Sequence, residues 1–240
     1  MLPNFPPTAL KEGKISLQGE FMWGSNYTYL AHLEYEEQTY QVVYKPTRGV
    51  RPLWDFPSSS LARREVAAYL VSLALGWDLV PPSVLRKDGP LGPGSVQLFV
   101  EHDPEYHYFS FRSADRQRLR PTSLFDLVIN NADRKGSHIL LDDDHHIWLI
   151  DHGLCFHVDD KLRTVVWDFA GERIPQDLLH DLSNYRQKIE TLELPVHLNL
   201  SAYLNHQEML AIVRRIDRLV MTGCYPNPDQ SRRQYPWPPI

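Results

Sequence analysis

The order of two periodicities constrains this chain most, because segments that alternate apolar and polar residues come first and segments with helical spacing come after them. Residues 15–21 and 27–35 alternate with period two and flank Met22-Trp23-Gly24-Ser25-Asn26, which predicts two strands around a tight turn. Residues 40–45 are aromatic and β-branched and predict a third strand, which Pro46 is expected to end because it lacks an N–H for the ladder. The stretch through Ser60 carries Gly49, Pro52 and Pro57 and reads as loop. Residues 61–75 contain neither proline nor glycine, follow a serine cluster able to cap a helix, and stop at Gly76. They predict a helix of about four turns with Val66, Leu70, Leu73 and Ala74 in its apolar stripe. Beyond Pro81-Pro82, short strands are expected at 84–86 and 95–100, separated by the turn-rich segment 88–94.

The second half reads differently. A helix is expected from about Pro121-Thr122-Ser123, where a hydroxyl can satisfy the free amides of the first turn, with Leu124, Leu127 and Val128 buried. The apolar runs 139–141 and 147–150, joined by Asp142-Asp143-Asp144-His145-His146, predict a hairpin. Two further helices are expected at 175–192 and 201–221, the second with Leu210, Val213, Ile216, Leu219 and Val220 on one side. The proline-rich tail from Tyr225 is expected on the surface or disordered. Together these elements imply an α+β chain with a β-rich lobe (1–101), a mostly helical lobe (102–224), a tail (225–240) and a cleft between the lobes.

Composition excludes several classes. With 42% hydrophobic and 23% charged residues, the 240-residue chain has the balance of a globular protein rather than a fibrous or disordered one. Its formal net charge of -5, with both signs mixed along the length, leaves no basic face for nucleic acid. Two distant cysteines, Cys155 and Cys224, fit a reducing compartment and exclude a disulfide framework. No run approaches the roughly 20 apolar residues needed to span a bilayer, and the first residues lack the pattern of a secretion signal, so a cytoplasmic protein is expected.

Chemistry concentrates at a few positions. Asp133 lies in the loop 130–138 between a predicted helix and the hairpin, where regular structure on both sides can fix its position. Asp151 follows the apolar run 147–150 and precedes His152-Gly153, so it should emerge from the core into a cleft. Lys45 ends a strand, and Glu65 lies on the helix that follows. Singly, these residues also read as ordinary surface: Lys45 and Glu65 as solvated, Asp133-Arg134 as a local salt bridge or turn, Asp151 as a capped turn. The seven histidines between His102 and His157 show no HExxH or cysteine-paired spacing that would mark a zinc site. Lys161-Leu162-Arg163-Thr164 reads as a surface loop or as a contact to an acceptor. Two carboxylates on adjacent loops, a strand lysine and a helix glutamate are, in this order, the parts phosphoryl transfer requires.

The stretches Gly24-Ser25-Asn26-Tyr27, Val43-Tyr44-Lys45-Pro46, Arg64-Glu65-Val66-Ala67-Ala68-Tyr69, Asn131-Ala132-Asp133-Arg134 and Ile150-Asp151-His152-Gly153-Leu154 resemble the phosphatidylinositol 3- and 4-kinase superfamily. Within it the chain is most similar to the type II phosphatidylinositol 4-kinases and their small bacterial relatives. The resemblance implies an atypical two-lobed protein-kinase-like fold with ATP between the lobes. Gly24, Ser25, Asn26 and Lys45 would meet the phosphates, Glu65 would steady Lys45, and Phe99, Val100 and Glu101 would form a hinge along the adenine. Asp133 would sit in the catalytic loop, and Asp151 would hold the metal. His138 stands where that family usually places a metal-binding asparagine. Because magnesium prefers oxygen ligands, His138 implies a single metal, a preference for manganese, or another role. The expected activity is transfer of the γ-phosphate to a hydroxyl acceptor, whether lipid, protein or small molecule. A nucleotide-binding pseudokinase and an AMP transferase are the alternatives.

Overall fold

The computed structural model describes residues 5–6, 8–20, 27–48, 50, 53–191 and 198–240. After a one-turn helix α1 (Ala9–Glu12), β1 (Lys14–Glu20), β2 (Tyr29–Tyr35), β3 (Gln38–Pro46), β4 (Ser83–Gly89) and β5 (Gly92–Leu98) form an antiparallel sheet in the order β1-β2-β3-β5-β4. The expected turn at Met22–Asn26, with Gly24, Ser25 and Asn26, lies outside the described residues. Side chains two apart share a face of a strand, so Ala31, Leu33, Val42 and Tyr44 pack with Val96 and the α1 residues Ala9 and Leu10 into one apolar cluster. The opposite parity, Val43 and Lys45, faces the other way.

Strand β3 ends at Pro46 as expected, and two other boundaries differ for local reasons. Pro46 itself stays in the ladder, pairing with Gly94. Thr47 N–H donates to Pro93 O at 2.7 Å and Phe99 N–H to Gln41 O at 3.0 Å, so odd-numbered residues of β3 face β5, and the Pro46 nitrogen faces past the Tyr29–Tyr44 pair where β2 begins. No ladder bond is lost there. The turn-rich stretch 88–94 is mostly strand, with Gly89 paired to Gly92 around Pro90 and Leu91. Gly94 belongs in the strand because a Cβ there would stand 2.4 Å from the Lys45 carbonyl. The strand expected at 95–100 ends at Leu98, releasing Phe99 and Val100 into the connection between the lobes.

Helix α2 (Leu61–Leu75) has the expected bounds and ends at Gly76, whose φ of 73° is the left-handed C-terminal conformation glycine tolerates. Its serine does not cap it: the Ser60 hydroxyl turns back to Pro57 O at 2.7 Å. Nor is it a one-striped surface helix. Leu73 is exposed while Arg64, Glu65, Ala67, Ala68 and Ser72 are buried, because neighbours cover α2 on several sides. Arg64 donates to Cys155 O and Glu208, and stands 5.1 Å from the Phe56 ring centre.

The helical half contains α3 (Ser113–Gln117), α4 (Arg120–Ile129), the hairpin β6 (Ile139–Leu141) and β7 (Ile147–Leu149), α5 (Gln176–Glu190) and α6 (His206–Thr222). Its core joins α2 to α4, α5 and α6 through residues such as Val71, Phe125, Val128, Leu182 and Ile216. Thr122 and Ser123 do not cap α4; Pro121 sits in its first turn, and the Ser123 hydroxyl bonds Val166 O. Helix α6 starts five residues later than expected because Asn205 and Glu208 cap it reciprocally. Its buried face is Ala211, Ile212, Arg215, Ile216 and Leu219, with Leu210 and Val220 exposed. Replacing Asn205 with alanine is expected to cost about 1 kcal/mol, measured as a lower denaturation midpoint. The tail crosses the surface: Gln234 O accepts from Thr164 N–H at 3.0 Å, and Pro239 O from Gly136 N–H at 2.8 Å.

Candidate active site

Between the sheet and the helical half lies a cavity of about 430 Å³ whose walls include Val43, Lys45, Glu65, Asp133, His138 and Asp151. Strand parity places Lys45 there, with the cross-strand neighbours of Lys45 and Val43, Ser95 and Gln97, beside it. The Lys45 ammonium lies 2.6 Å from Glu65 Oε1 and 2.9 Å from Asp151 Oδ1. Glu65 is fixed at its other oxygen, which accepts from His152 N–H at 2.8 Å. Asp151 leaves the end of β7 with φ of 60°, a strained backbone for a residue other than glycine, though aspartate tolerates it better than most. Residues 45, 65 and 151, far apart along the chain, therefore meet at one point.

Burial lowers Lys45, but the Asp151 and Glu65 carboxylates outweigh it and hold the ammonium well above the usual lysine range. Burial likewise opposes the Asp151 charge, and the Lys45 ammonium above all overcomes it, so this carboxyl is held below the usual range. Glu65 moves the other way, raised chiefly by burial and also by the Asp151 charge, against the pull of Lys45. The Asp151 side chain is 49% exposed, but that exposure is into the cleft it lines.

Asp133 also lines the cleft. Burial raises its carboxyl to about 6, with Lys135, whose Nζ is 3.8 Å away, opposing the rise and Asp151 adding to it. Burial lowers His138 to about 4, leaving a neutral ring whose Nε2 is 3.4 Å from Asp151 Oδ2. Among the described residues, no cluster of three or more histidine, cysteine, aspartate and glutamate side chains is set to hold a metal. Asp151 thus offers oxygen ligands at the cleft, and neutral His138 a nitrogen beside them. Phe99 and Val100 line the cleft where the lobes join, but Glu101 is exposed and does not.

The position of Asp133 depends on residues that sequence reasoning passed over. Arg134 is fully buried and pairs with Asp126 on α4, Nε to Oδ1 at 3.0 Å, rather than with its neighbour Asp133. Its Nη1 donates to Ile150 O at 2.8 Å and His138 O at 3.2 Å, and Nη2 meets His152 Nε2 at 2.8 Å. One guanidinium therefore joins the 130–138 loop to the strand that delivers Asp151. Asp126 also accepts from Asn131 and Thr164, and Asn131 Oδ1 accepts the Asp133 N–H at 2.9 Å. The visible signal was Asp126, a carboxylate amid the otherwise apolar end of α4, eight residues before an arginine.

Residues 22–220 match the family described as Phosphatidylinositol 3- and 4-kinase. The chain belongs to that family. Among family relatives and other similar proteins, Protein Rv2133c of Mycobacterium tuberculosis is 36% identical over 95% of this chain and 93% of its own length. Phosphatidylinositol 4-kinase gamma 4 of rice, Oryza sativa subsp. japonica, is 31% identical over 44% of this chain, an alignment covering 22% of the rice protein. Two solved structures share the fold. The Helicobacter pylori proinflammatory kinase CtkA matches with a TM-score of 0.52 at 11% identity, covering 90% of this chain and 94% of that one. Hydra Fam20 matches with a TM-score of 0.51 at 15% identity, covering 90% of this chain and 87% of its own. The fold is thus α+β and kinase-like, and family and fold together support a phosphotransferase. Among the described residues, no helix is long and apolar enough to cross a membrane.

Proposed function

We propose that this kinase-family protein transfers the γ-phosphate of ATP to a hydroxyl acceptor. The observation that carries this reading is the Lys45 ammonium held between Glu65 and Asp151 on the wall of a nucleotide-sized cleft. Lys45 would hold phosphate oxygens while Glu65 keeps it aimed, and Phe99 and Val100 would border the adenine. Asp151 would supply oxygen to a divalent ion, with His138 beside it. Such an ion, when bound, screens the charge of the phosphates. Magnesium fits one carboxylate plus phosphate oxygens, and the neutral imidazole widens the fit to manganese. In the reaction the acceptor oxygen forms a bond to the γ-phosphorus, the bond to the bridging oxygen breaks, ADP leaves, and the hydroxyl proton passes to Asp133. The acceptor remains an unspecified alcohol.

The reading is tested by calorimetric titration of ATP with manganese into the natural chain and Lys45→Met, with mass analysis of the products. Lys45→Met should weaken binding by about tenfold or more, as expected for loss of a charge-assisted bond to phosphate. Addition of a phosphoryl group supports the proposal, whereas addition of AMP points to adenylyl transfer. Binding with no product at all favours the second reading, a nucleotide-binding protein without turnover, for which His138 in place of a metal-binding asparagine is the specific motive.

A pH dependence follows from Asp133. It can accept a proton only when ionised, and its carboxyl titrates at about 6. Turnover should therefore be flat above that pH and fall about tenfold per unit below it. Asp133→Asn should remove this limb along with most of the rate. A profile that stays flat down to pH 5 in the natural protein would exclude Asp133 as the base.

A further inference from the structure

A second cavity, also of about 430 Å³, is walled by α6 and the tail, and the phosphotransfer reading does not use it. Arg215 of α6 lies in its wall and is only 6% exposed. Nε donates to Val128 O at 2.8 Å and Nη1 to His157 O at 3.2 Å, while Nη2 is buried without a partner. Both partners are backbone carbonyls, and no carboxylate pairs with this guanidinium among the described residues. Burial lowers it to about 10, with the Asp160 charge only partly opposing. A buried cation with no counter-charge is a costly arrangement, and an anion relieves it.

The remaining charges do not supply one. Asp160 pairs with Arg218 at 3.2 Å and Asp229 with Arg232 at 2.8 Å, both at the solvated edge. Three guanidiniums thus face two carboxylates, and the unmatched positive charge is the buried one. Leu127, Leu162, Trp167, Leu219 and Tyr225 supply apolar wall.

We propose that this cavity binds a small organic anion, a carboxylate or phosphate monoester on an apolar body, with the anion on Arg215 and the body against the leucine and aromatic wall. The test is calorimetric titration of the full chain with benzoate, phenyl phosphate and neutral benzyl alcohol. At least one of the anions should bind saturably, one per chain, and at least about tenfold more tightly than the alcohol. The preferred anion separates the carboxylate source from the phosphate source. Because Arg215→Met risks unfolding the chain, the decisive variant is Leu162→Trp, which fills the cavity and leaves its charges in place. It should abolish binding while retaining the melting temperature, and Lys45→Met in the other cleft should leave binding unchanged. Absence of saturable binding, equal affinity for the alcohol, retention in Leu162→Trp, or loss in Lys45→Met would each overturn the proposal.

Discussion

Asp151→Asn is expected to leave a folded protein whose metal-dependent turnover of ATP falls by about a thousandfold, the scale seen when one electrostatic group is removed from a phosphate or oxyanion site. Asparagine is the cleaner replacement because position 151 has φ of 60°, which asparagine adopts readily and alanine does not. Asp151→Ala would add a backbone penalty of roughly 1–2 kcal/mol to any loss at the site. The fold should tolerate the loss of the carboxylate, since Lys45 keeps its shorter partner, Glu65 at 2.6 Å. The measurement is ATP affinity with and without manganese, alongside turnover. The natural chain should bind more tightly with the metal, and the asparagine variant should not. Unchanged metal coupling in a folded variant would falsify the assignment of Asp151.

The second large effect concerns stability. Arg134→Met should lower it by about 3–5 kcal/mol, because it strips the fully buried Asp126 of its cation while burial already pushes that carboxyl up. For a chain of this size, each kcal/mol moves the melting temperature by about 2–4 °C, so a drop of roughly 6–20 °C is expected. The double variant Arg134→Met with Asp126→Leu should recover much of that loss, since replacing both partners removes the stranded charge. Its stability should recover more than its turnover, because Arg134 also ties the carbonyls of His138 and Ile150 together. A loss below about 1 kcal/mol in the single variant would mean that water reaches Asp126 and the pair is not sealed.

Most of the fold was legible because local chemistry and tertiary demand agree. Residues 61–75 have the spacing, the absence of breakers and the terminal glycine of a helix, and α2 spans Leu61–Leu75. The hairpin that precedes Asp151 was equally plain, since two short apolar runs flank five polar residues. Expectation failed where a neighbour decides. Whether Pro46 costs its strand a ladder bond depends on which neighbour its nitrogen faces, and whether Gly94 makes a turn or a close crossing depends on β3. The inward face of α6 was misjudged because Arg215 is buried by bonding backbone carbonyls, which no apolar stripe reveals.

At the candidate site, the convergence of Lys45, Glu65 and Asp151 came from recognised motifs, and the distances agree with it. Spacing alone left each of the three an ordinary surface residue. Glu101 was named for the backbone of the connection between the lobes; the strand stops at Leu98 and the Glu101 side chain points to solvent, which leaves only its backbone for that role. Asp126 stood out in the sequence but its pairing with Arg134 did not, because the eight residues between them cross a helix end, where proximity depends on the left-handed turn at Asn130.

Adjacent residues of α2 reach in two directions. Glu65 reaches up to the sheet, while Arg64 grips α6 through Glu208 and the chain after Asp151 through the Cys155 carbonyl. The C-terminal end is moored too, with Trp77 Nε1 bonded to Asp181 of α5 at 2.9 Å. Mechanically, this helix belongs to both halves, since it packs against β4 and β5 of the sheet as well as against α5 and α6. Any change in the opening of the cleft would therefore have to slide α2 against one of these two sets of neighbours, with the Lys45–Glu65 link holding it to the sheet side.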